Sequence, residues 1–251
     1  MKVVASYTIK GGVGKTSTAV NLAHLASADG LRTLVWDLDP QGGATYLFRV
    51  KPRVKGGGAA LVDGRRTLDD AVKGTDFDRL DLVPADFSYR NLDLDLDAAK
   101  HSHDRVRRLL APLESEYDLV VLDCPPGVTL LSENIVRGSD VVLVPLVPAL
   151  LSLRTLDQLT DFVAGLPGPR PRVLAFLSMV DRRKKAHREL VASLPAERDD
   201  VVPVAIPNLA VVEQMAVERA PVTVFAPRSA ASTAYRALWD LVREELRTPR
   251  R

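Results

Sequence analysis

A glycine-rich segment near the start of the chain has the residue types that bind phosphate groups. It reads K-G-G-V-G-K-T over 10–16, between a short apolar segment and a helix-forming one. Glycine lacks the Cβ that would stop backbone N–H groups from pointing at an anion, and the following helix adds the positive end of its dipole. Lys15 can reach the terminal phosphates of a nucleotide, and the Thr16 hydroxyl suits a Mg²⁺ ion. The segment therefore predicts a nucleoside triphosphate site.

The spacing of this segment departs from the standard phosphate-loop pattern, G-x-x-x-x-G-K-[ST]. Ile9 stands where that pattern has its first glycine, and a second lysine opens the loop. An ordinary glycine turn is the alternative interpretation, but a match of this length very rarely arises by chance. The residues predicted to bind the nucleotide are Lys10, Gly11, Gly12, Val13, Gly14, Lys15, Thr16 and Ser17.

Two later segments place carboxylates at the ends of predicted strands. DLDPQGGAT (37–45) follows a continuous apolar strand, and YDLVVLDCPPG (117–127) contains four apolar residues and then Asp123. Open α/β sheets bind ligands at the carboxyl ends of their strands, so Asp37 and Asp39 are candidate site residues. A solvated turn rich in Asp and Gly is the alternative for 37–45. Asp123 could hold a Mg²⁺-bound water beside Thr16.

Apolar periodicity predicts the elements that would carry these residues. Strands are expected over 3–9, 31–36, 80–84, 91–97, 119–123, 141–144, 173–178 and 201–206. Helices are expected over 16–28, 67–72, 103–114, 152–163, 184–194, 209–218 and 230–247. Their alternation predicts a single α/β domain over 1–251, with a mostly parallel, twisted sheet and helices on both faces.

Two segments carry unusual patterns. Residues 49–66 are rich in glycine and have six basic side chains against one acidic side chain, which predicts a mobile surface loop. Residues 91–97 alternate Leu and Asp strictly, which is typical of a half-exposed strand. Repeated Asp could bind a metal ion, but without His, Cys or glycine turns we interpret this segment as structural.

The composition limits the class of protein. The chain has 251 residues, with 34 Lys and Arg against 32 Asp and Glu, so its net charge argues neither for nor against nucleic acid binding. Its one cysteine, Cys124, excludes an internal disulfide and fits a reducing cytoplasm. No signal peptide precedes the first strand, and no apolar run reaches the roughly 18–20 residues of a membrane span. We expect a cytoplasmic protein in which Cys124 is a buried neighbour of the site rather than a nucleophile.

The motifs KGGVGKTS, DLDPQGGAT, LDCPPG and a late I-P-N…E segment (206–213) together resemble the deviant Walker A ATPases of the ParA/MinD group. The resemblance covers nearly the whole chain and is closest to the short, Soj-like ParA partition ATPases. It implies the P-loop NTPase fold, binding of ATP/ADP and Mg²⁺, and an ATP-sandwich homodimer. As in those short forms, no N-terminal helix-turn-helix extension is expected.

The resemblance also implies roles for single residues. Lys10, Lys15 and Asp39 are expected to be catalytic, with Asp39 positioning the attacking water. Lys10 is expected to reach the partner's phosphates across the dimer. The implied metal residues are Thr16, Asp37 and Asp123. The implied activity is slow ATP hydrolysis, in which ATP drives dimerisation and a ParB-like activator protein stimulates turnover.

Pro207 and Asn208 are expected, from the same resemblance, to contact adenine. The family commonly has Arg where this chain has Asn208, which puts base contacts and any DNA role of that loop in question. Ser17 replaces a second Thr and keeps the hydroxyl.

A basic cluster follows the strand predicted over 173–178. Residues 170–188 contain seven Lys or Arg against one Asp. The candidate DNA-binding residues are Arg182, Arg183, Lys184, Lys185 and Arg188. Such a cluster could neutralise DNA phosphates without reading sequence, and a dimer would double it. A solvated helix face is the alternative. Together with the resemblance, the cluster favours non-specific DNA binding and association with the nucleoid.

Other functions stay open at this point. A MinD-like membrane-positioning ATPase would need an amphipathic basic helix after the domain, whereas 247–251 has no apolar face. A ParA-like ATPase that positions a protein cargo would share every feature above. A metabolic enzyme on the same fold, such as an amidating ligase or a reductase subunit, is a further alternative. The single cysteine argues against an iron–sulfur cluster shared by two subunits.

Overall fold

A computed structural model describes residues 1–99 and 102–247 of the chain. The strands are β1 (Lys2–Ser6), β2 (Thr33–Asp37), β3 (Lys73–Gly74), β4 (Leu80–Val83), β5 (Leu119–Asp123), β6 (Val141–Leu146), β7 (Arg172–Val180) and β8 (Val201–Pro207). Among the described residues they form one sheet in the order β3-β4-β2-β5-β1-β6-β7-β8. Within 1–99 and 102–247, β3 and β4 are the only neighbouring strands that pair antiparallel. The mostly parallel sheet predicted from the sequence is confirmed.

The helices connect or flank these strands in chain order. They are α1 (Lys15–Ala28), α2 (Gly43–Leu47), α3 (Gly57–Val62), α4 (Leu92–Ala98), α5 (Arg105–Leu110), α6 (Leu130–Gly138), α7 (Leu150–Gly165), α8 (Lys185–Glu197), α9 (Ala210–Glu213), α10 (Met215–Glu218), α11 (Val222–Phe225) and α12 (Ala230–Glu245). Short 3₁₀ turns lie at Asp69–Ala71, Phe87–Asn91 and Ala111–Leu113. Across 1–99 and 102–247, no helix combines the length and the apolar character needed to cross a bilayer.

The central strands are apolar throughout because both faces of the sheet are covered. In β5, Val120 and Leu122 pack in one apolar core, while Leu119 and Val121 pack in the other. The first core is closed by residues of α4, α5, α6 and α7, and the second by residues of α1 and α12. This arrangement confirms the predicted layers, with helices on each face of the sheet.

The parallel strands bring several loops to one edge of the sheet. Chain segments that leave the carboxyl ends of β1, β2, β5, β7 and β8 all start at this edge, which is where α/β sheets bind ligands. We call it the carboxyl edge.

The segment 91–97 is helical, so the prediction of a strand there was wrong. Leu92 and Leu96 are four residues apart and share one buried face of α4, whereas Leu94 is 73% exposed. A strict Leu–Asp alternation also places leucines four residues apart, which is the spacing of one helix face. The apolar core covers Leu92 and Leu96 and leaves Leu94 exposed. The Asp93 carboxylate accepts a hydrogen bond from the Leu131 N–H at the start of α6 (2.8 Å).

The segment 49–66 is not the mobile loop that its composition predicts. It contains α3, and Val54 and Leu61 are buried in the first apolar core. The Asp86 carboxylate accepts a hydrogen bond from the Val54 N–H (2.8 Å), and the Ser88 hydroxyl accepts one from the Gly58 N–H (2.8 Å). The prediction was wrong because it rested on the glycine content. The buried side chains of Val54 and Leu61 instead anchor the segment to the core.

Several boundaries also differ from the prediction. The helix expected over 103–114 is α5 (Arg105–Leu110), and a 3₁₀ turn that contains Pro112 follows it over Ala111–Leu113. The helix expected over 209–218 is divided into α9 and α10. Helix α6, which the sequence analysis did not predict, begins at a capping box formed by Thr129 and Ser132. Residues 248–251 of the expected C-terminal tail lie outside the described residues.

Two substitutions in α4 distinguish a helix from a strand at this segment. Leu96→Ala should destabilise the protein by about 2–5 kcal/mol because it leaves a cavity in the core. Leu94→Ala should change the free energy of unfolding by less than about 0.5 kcal/mol, since that side chain is exposed. Denaturant unfolding of both variants measures the difference. In a strand the two leucines would share a face, so equal losses would contradict the helix.

Candidate functional site

The phosphate loop connects β1 to α1 in a conformation that requires glycine. Gly12 and Gly14 have φ values of 70° and 96°, in the left-handed region that other residues avoid. Gly14 directly precedes α1, so the loop opens into the N-terminus of a 14-residue helix. Unpaired N–H groups at such an end, together with the helix dipole, favour an anion.

Strand β7 fixes this loop in place. The Ser178 hydroxyl donates a hydrogen bond to the Val13 carbonyl (2.8 Å), and a Cβ added at Gly14 would lie 3.0 Å from the same hydroxyl oxygen. Ser178 is not among the site residues predicted from the sequence. Ser178 lies near the carboxyl end of a buried strand. The same kind of position identified Asp37 and Asp123, so it could also have identified Ser178.

Lys15 lies against the loop with only 7% of its surface exposed. Its Nζ donates to the Lys10 carbonyl (3.2 Å), and its own carbonyl accepts a hydrogen bond from the Ser6 hydroxyl (2.9 Å). Burial lowers the pKa of the Lys15 ammonium, and the negative charge of Asp123 opposes that shift. A phosphate group beside Lys15 would strengthen the charged form further.

The Lys10 side chain is placed differently. It is exposed, and it does not line the cavity that contains Lys15. Within residues 1–99 and 102–247, this side chain makes no hydrogen bond or ion pair. The structure therefore does not bring the two lysine side chains together in one copy of the chain.

Three neighbouring strands end together at the carboxyl edge. Asp123 of β5 is in register with Ser6 of β1 on one side and with Asp37 of β2 on the other. Both carboxylates are fully buried. The sequence pattern located each of them at a strand end, and the parallel register brings them side by side.

The two carboxylates differ in how they are satisfied. Oδ2 of Asp37 accepts hydrogen bonds from the Thr45 N–H (2.8 Å) and the Thr45 hydroxyl (2.7 Å), and Oδ1 accepts a longer one from the Asp39 N–H (3.3 Å). Burial raises the pKa of Asp37 to about 6, although the Thr45 hydrogen bonds oppose the shift. Neither oxygen of Asp123 has a hydrogen-bond partner among the described residues. Burial, and then the charge of Asp37, raise the pKa of Asp123 well above its usual value.

The unpaired carboxylate of Asp123 fits a magnesium ion better than Asp37 does. Mg²⁺ is usually held by one or two protein oxygens, several waters and the phosphates of a nucleotide. Thr16 stands at the start of α1, close enough to Asp123 for its hydroxyl to oppose the rise in pKa. Within the described part of the chain, no cluster of three His, Cys, Asp or Glu residues could hold a metal ion by itself. An ion here would therefore depend on phosphate oxygens.

One cavity of about 680 Å³ is lined by most of the residues predicted to bind the nucleotide, whereas Lys10, Asp37 and Asp123 do not line it. Its phosphate side is formed by 11–17, by Asp39 with its neighbours, and by the Pro125–Pro126 exit from β5. Its other side is formed by Pro207, Asn208 and the residues that follow them. The Asn208 N–H donates to the Val180 carbonyl at the end of β7 (2.9 Å). The residues expected at adenine thus line the same cavity as the phosphate loop.

Several residues of this cavity were not predicted from the sequence. They are Gln41, Ser178, Met179, Leu209, Val212, Glu213 and Tyr235. Gln41 and Glu213 lie within the motifs of 37–45 and 206–213, but no role at the site was predicted for them. Cys124, in contrast, is buried as expected, and burial raises the pKa of its thiol well above the usual value.

The candidate DNA-binding residues lie together where β7 leads into α8, and all are exposed. We call Arg182, Arg183, Lys184, Lys185 and Arg188 the basic surface. Arg183 forms two hydrogen bonds with the Asp181 carboxylate (both 2.9 Å), which hold the pKa of that carboxyl well below its usual range. Lys185 pairs with Glu189 (3.5 Å). The side chains of Arg182 and Lys184 make no ion pair within the described ranges.

Arg170 and Arg172 do not belong to the basic surface, which corrects the single cluster counted over 170–188. Arg172 begins β7 and pairs with Glu245 of α12 (3.3 Å). At about 3.3 Å per residue, Arg172 lies about 26 Å along the strand from its carboxyl end. The sequence count merged charges from opposite edges of the sheet.

Comparison with known proteins agrees with the motifs. Residues 1–167 match the family model AAA_31, described as an AAA domain. The chromosome partitioning protein ParA of Myxococcus xanthus is 30% identical over 259 residues, covering 100% of this chain and 91% of that protein. The sporulation initiation inhibitor protein Soj of Bacillus subtilis is 29% identical over 249 residues, covering 97% of each.

A solved structure shows the same fold at lower identity. Cobyrinic acid a,c-diamide synthase from Mycobacterium smegmatis, with bound ADP and magnesium, has a TM-score of 0.80 at 23% identity, covering 99% of this chain and 96% of that one. The family match contains the phosphate loop and the strands that end in Asp37 and Asp123. Together with the full-length similarity to ParA, it shows that the chain belongs to the ParA family of deviant Walker A ATPases.

Proposed function

We propose that this chain is a DNA partition ATPase. In this proposal Mg-ATP binds in the cavity, two copies of the chain close over it, and the ATP-loaded form binds DNA without sequence preference. Slow hydrolysis, stimulated by a ParB-like partner, then resets the protein. One observation carries the proposal. A phosphate loop whose glycines have left-handed backbone φ values lies beside the buried carboxylate of Asp123, which has no hydrogen-bond partner in the described residues. The relative described as the chromosome partitioning protein ParA supports partition as the process.

The chain's own groups would act on ATP by position and charge. The loop N–H groups and the Lys15 ammonium would hold the phosphate oxygens, while Thr16 and Asp123 would hold the ion or its waters. Mg²⁺ would neutralise charge on the phosphates. Asp39 would orient a water for attack on the γ-phosphorus, so that the bond to the ADP oxygen breaks and phosphate leaves. Ser178, through the Val13 carbonyl, would keep the loop from moving during this step.

The exposed position of Lys10 supports a role between two copies. Its side chain does not line the cavity of its own chain, while its carbonyl accepts a hydrogen bond from Lys15 at that cavity. A second copy facing the carboxyl edge could therefore receive the Lys10 ammonium at its own phosphates. This would make hydrolysis depend on dimerisation.

Replacement of Asp123 by Asn should separate stability from metal binding. Because the buried carboxylate has no partner in the described structure, the neutral amide should leave the nucleotide-free protein at least as stable at pH 7. The same change should weaken Mg²⁺-dependent ATP binding by roughly tenfold or more. Thermal unfolding and calorimetric titration with and without EDTA measure the two effects. The control is Asp118→Asn, at the residue before the amino end of β5, which should keep Mg²⁺-dependent binding. The proposal fails if Asp123→Asn also keeps Mg²⁺-dependent binding.

The two lysines and Asp39 should give three different defects. Lys15→Ala should abolish stable ATP binding. Lys10→Ala should bind ATP as a monomer but fail to dimerise, because its side chain lies outside its own cavity. Asp39→Ala should bind ATP and dimerise while hydrolysis falls by roughly 10²-fold or more. Calorimetry, light scattering and phosphate release distinguish these outcomes. Normal dimerisation by Lys10→Ala, or normal turnover by Asp39→Ala, would show that the residue is misassigned.

The basic surface should bind DNA mainly through its unpaired members. An Arg182→Ala/Lys184→Ala variant should lose binding of ATP-loaded protein to random-sequence duplex, and the dependence of log K on log[salt] should become shallower by about two units. The control is Arg170→Ala/Arg172→Ala, at the opposite edge of the sheet, which should bind normally. Gel retardation over a salt series measures both. If both variants bind alike, the basic surface is not the DNA site, and ATP-dependent flotation with anionic vesicles would favour the MinD-like alternative.

A further inference from the structure

Two arginines share an unusual backbone conformation near the nucleotide cavity. Arg49, two residues after the end of α2, has a φ of 60°, and Arg219, immediately after α10, has a φ of 50°. Side chains with a Cβ disfavour this left-handed region, whereas glycine adopts it freely at the ends of helices. Strained backbone of this kind persists where other contacts hold it.

Each of these arginines hydrogen-bonds to the helix that precedes the other. Arg49 Nη2 donates to the carbonyl of Glu218, the last residue of α10 (2.9 Å). Arg219 Nε donates to the carbonyl of Tyr46 in the last turn of α2 (3.1 Å), and its guanidinium lies over the Tyr46 ring, 4.6 Å from the centroid. Arginines near helix C-termini satisfy carbonyls that the helix leaves unpaired. We call Arg49, Arg219, Tyr46 and Glu218 the arginine clasp.

One side of the arginine clasp belongs to the phosphate side of the cavity. Helix α2 contains Thr45, whose N–H and hydroxyl hold the Asp37 carboxylate. Its first residue, Gly43, packs so closely on Thr16 that an added Cβ would lie 2.9 Å from the Thr16 methyl. The Asp39 loop leads directly into this helix. Helix α2 is therefore attached to Asp37 and Thr16, two of the residues expected at the metal, and it follows the loop that carries Asp39.

The other side of the arginine clasp belongs to the segment of the cavity lining that contains Pro207 and Asn208, which we call the base-side wall. Helix α10 follows α9 after the single residue Gln214, and 206–213 includes most of the lining residues on that wall. Met215 of α10 is buried, and its Sδ accepts a hydrogen bond from the Asn21 amide of α1 (3.4 Å). Helix α10 thus begins two residues after Glu213, where the cavity-lining segment that contains Pro207 and Asn208 ends.

We propose that the arginine clasp positions the base-side wall of the cavity against its phosphate side and so sets the affinity for nucleotide. This rests on the proposed binding of ATP in the cavity. Asp123 and Lys15 keep their own anchors in β5 and α1, and Thr45 keeps α2 attached to Asp37. Loss of the clasp therefore weakens binding more than it slows the chemical step.

The acceptors distinguish the arginine clasp from ordinary surface charge pairing. Both cross-helix hydrogen bonds end on backbone carbonyls, so no acidic partner is needed. The ion pair between Arg49 and Asp76 is long (3.5 Å), and both side chains are exposed, which makes it weak. Asp76→Ala should accordingly leave nucleotide affinity unchanged.

Glycine substitutions test the proposal without breaking the fold. Arg49→Gly and Arg219→Gly each remove the side chain and relieve the left-handed backbone, so the melting temperature should stay the same or rise. The double variant should raise the KM for ATP and the Kd for a Mg²⁺–ATP analogue by roughly tenfold. Its kcat should stay within about twofold of the parent, since the groups at the phosphates are unmoved. Arg79→Gly is the matched control, an exposed arginine with a φ of 60° that lies just before β4, at the other edge of the sheet.

Hydrogen exchange of the nucleotide-free protein gives a second readout that does not depend on activity. Arg49→Gly should speed exchange in α10, and Arg219→Gly should speed it in α2, because each side chain caps the other helix. Normal nucleotide affinity in the folded double variant, or exchange unchanged in both helices, would overturn the clasp alone. Absence of ATP binding by the unchanged protein would overturn the proposed function, and the role of the clasp with it.

Discussion

Two carboxylates buried side by side at the ends of β2 and β5 are the constraint on which the rest of this structure depends. Their adjacency follows from the parallel register, and the register is fixed because both faces of each strand are buried. Asp37 is compensated by Thr45, but Asp123 is not compensated by any hydrogen bond in the described residues. A buried charge without a partner is costly, and a cation with its own ligands removes that cost. The edge is therefore built for a ligand that brings positive charge.

The satisfied carboxylate matters as much as the unsatisfied one. Through Thr45, Asp37 holds α2, and α2 in turn contacts Thr16 and, through the arginine clasp, α10. The phosphate loop has a separate anchor in Ser178 of β7. The cavity is thus assembled from distant parts of the chain, each fixed by a small number of hydrogen bonds. Its shape depends on contacts that lie outside the nucleotide-binding motifs.

The sequence predicted the parts of the site whose chemistry is local. Glycine, lysine and threonine at fixed spacing define the phosphate loop, and a buried apolar run ending in Asp locates a carboxyl edge. It could not predict contacts that depend on tertiary structure. Ser178 acts on a carbonyl 165 residues away, and the acceptors of Arg49 and Arg219 are backbone carbonyls, which leave no pattern. The prediction of a strand over 91–97 was wrong because the same sequence has the alternation of a strand and the spacing of four of a helix. Only the packing of Leu92 and Leu96 in the core distinguishes the helix from the strand.

Strand β7 connects the two surfaces that the proposed function requires. Ser178 holds the phosphate loop, Met179 lines the cavity with a φ of 55°, and the Val180 carbonyl accepts the Asn208 N–H. The basic surface begins two residues after Val180, and its first turn is tied by the Asp181 N–H, which donates to Nδ1 of His187 in α8 (3.0 Å). No flexible linker separates the residues that contact the nucleotide loop from those proposed to contact DNA. The phosphate loop and the basic surface are therefore joined by one short, hydrogen-bonded segment of the chain.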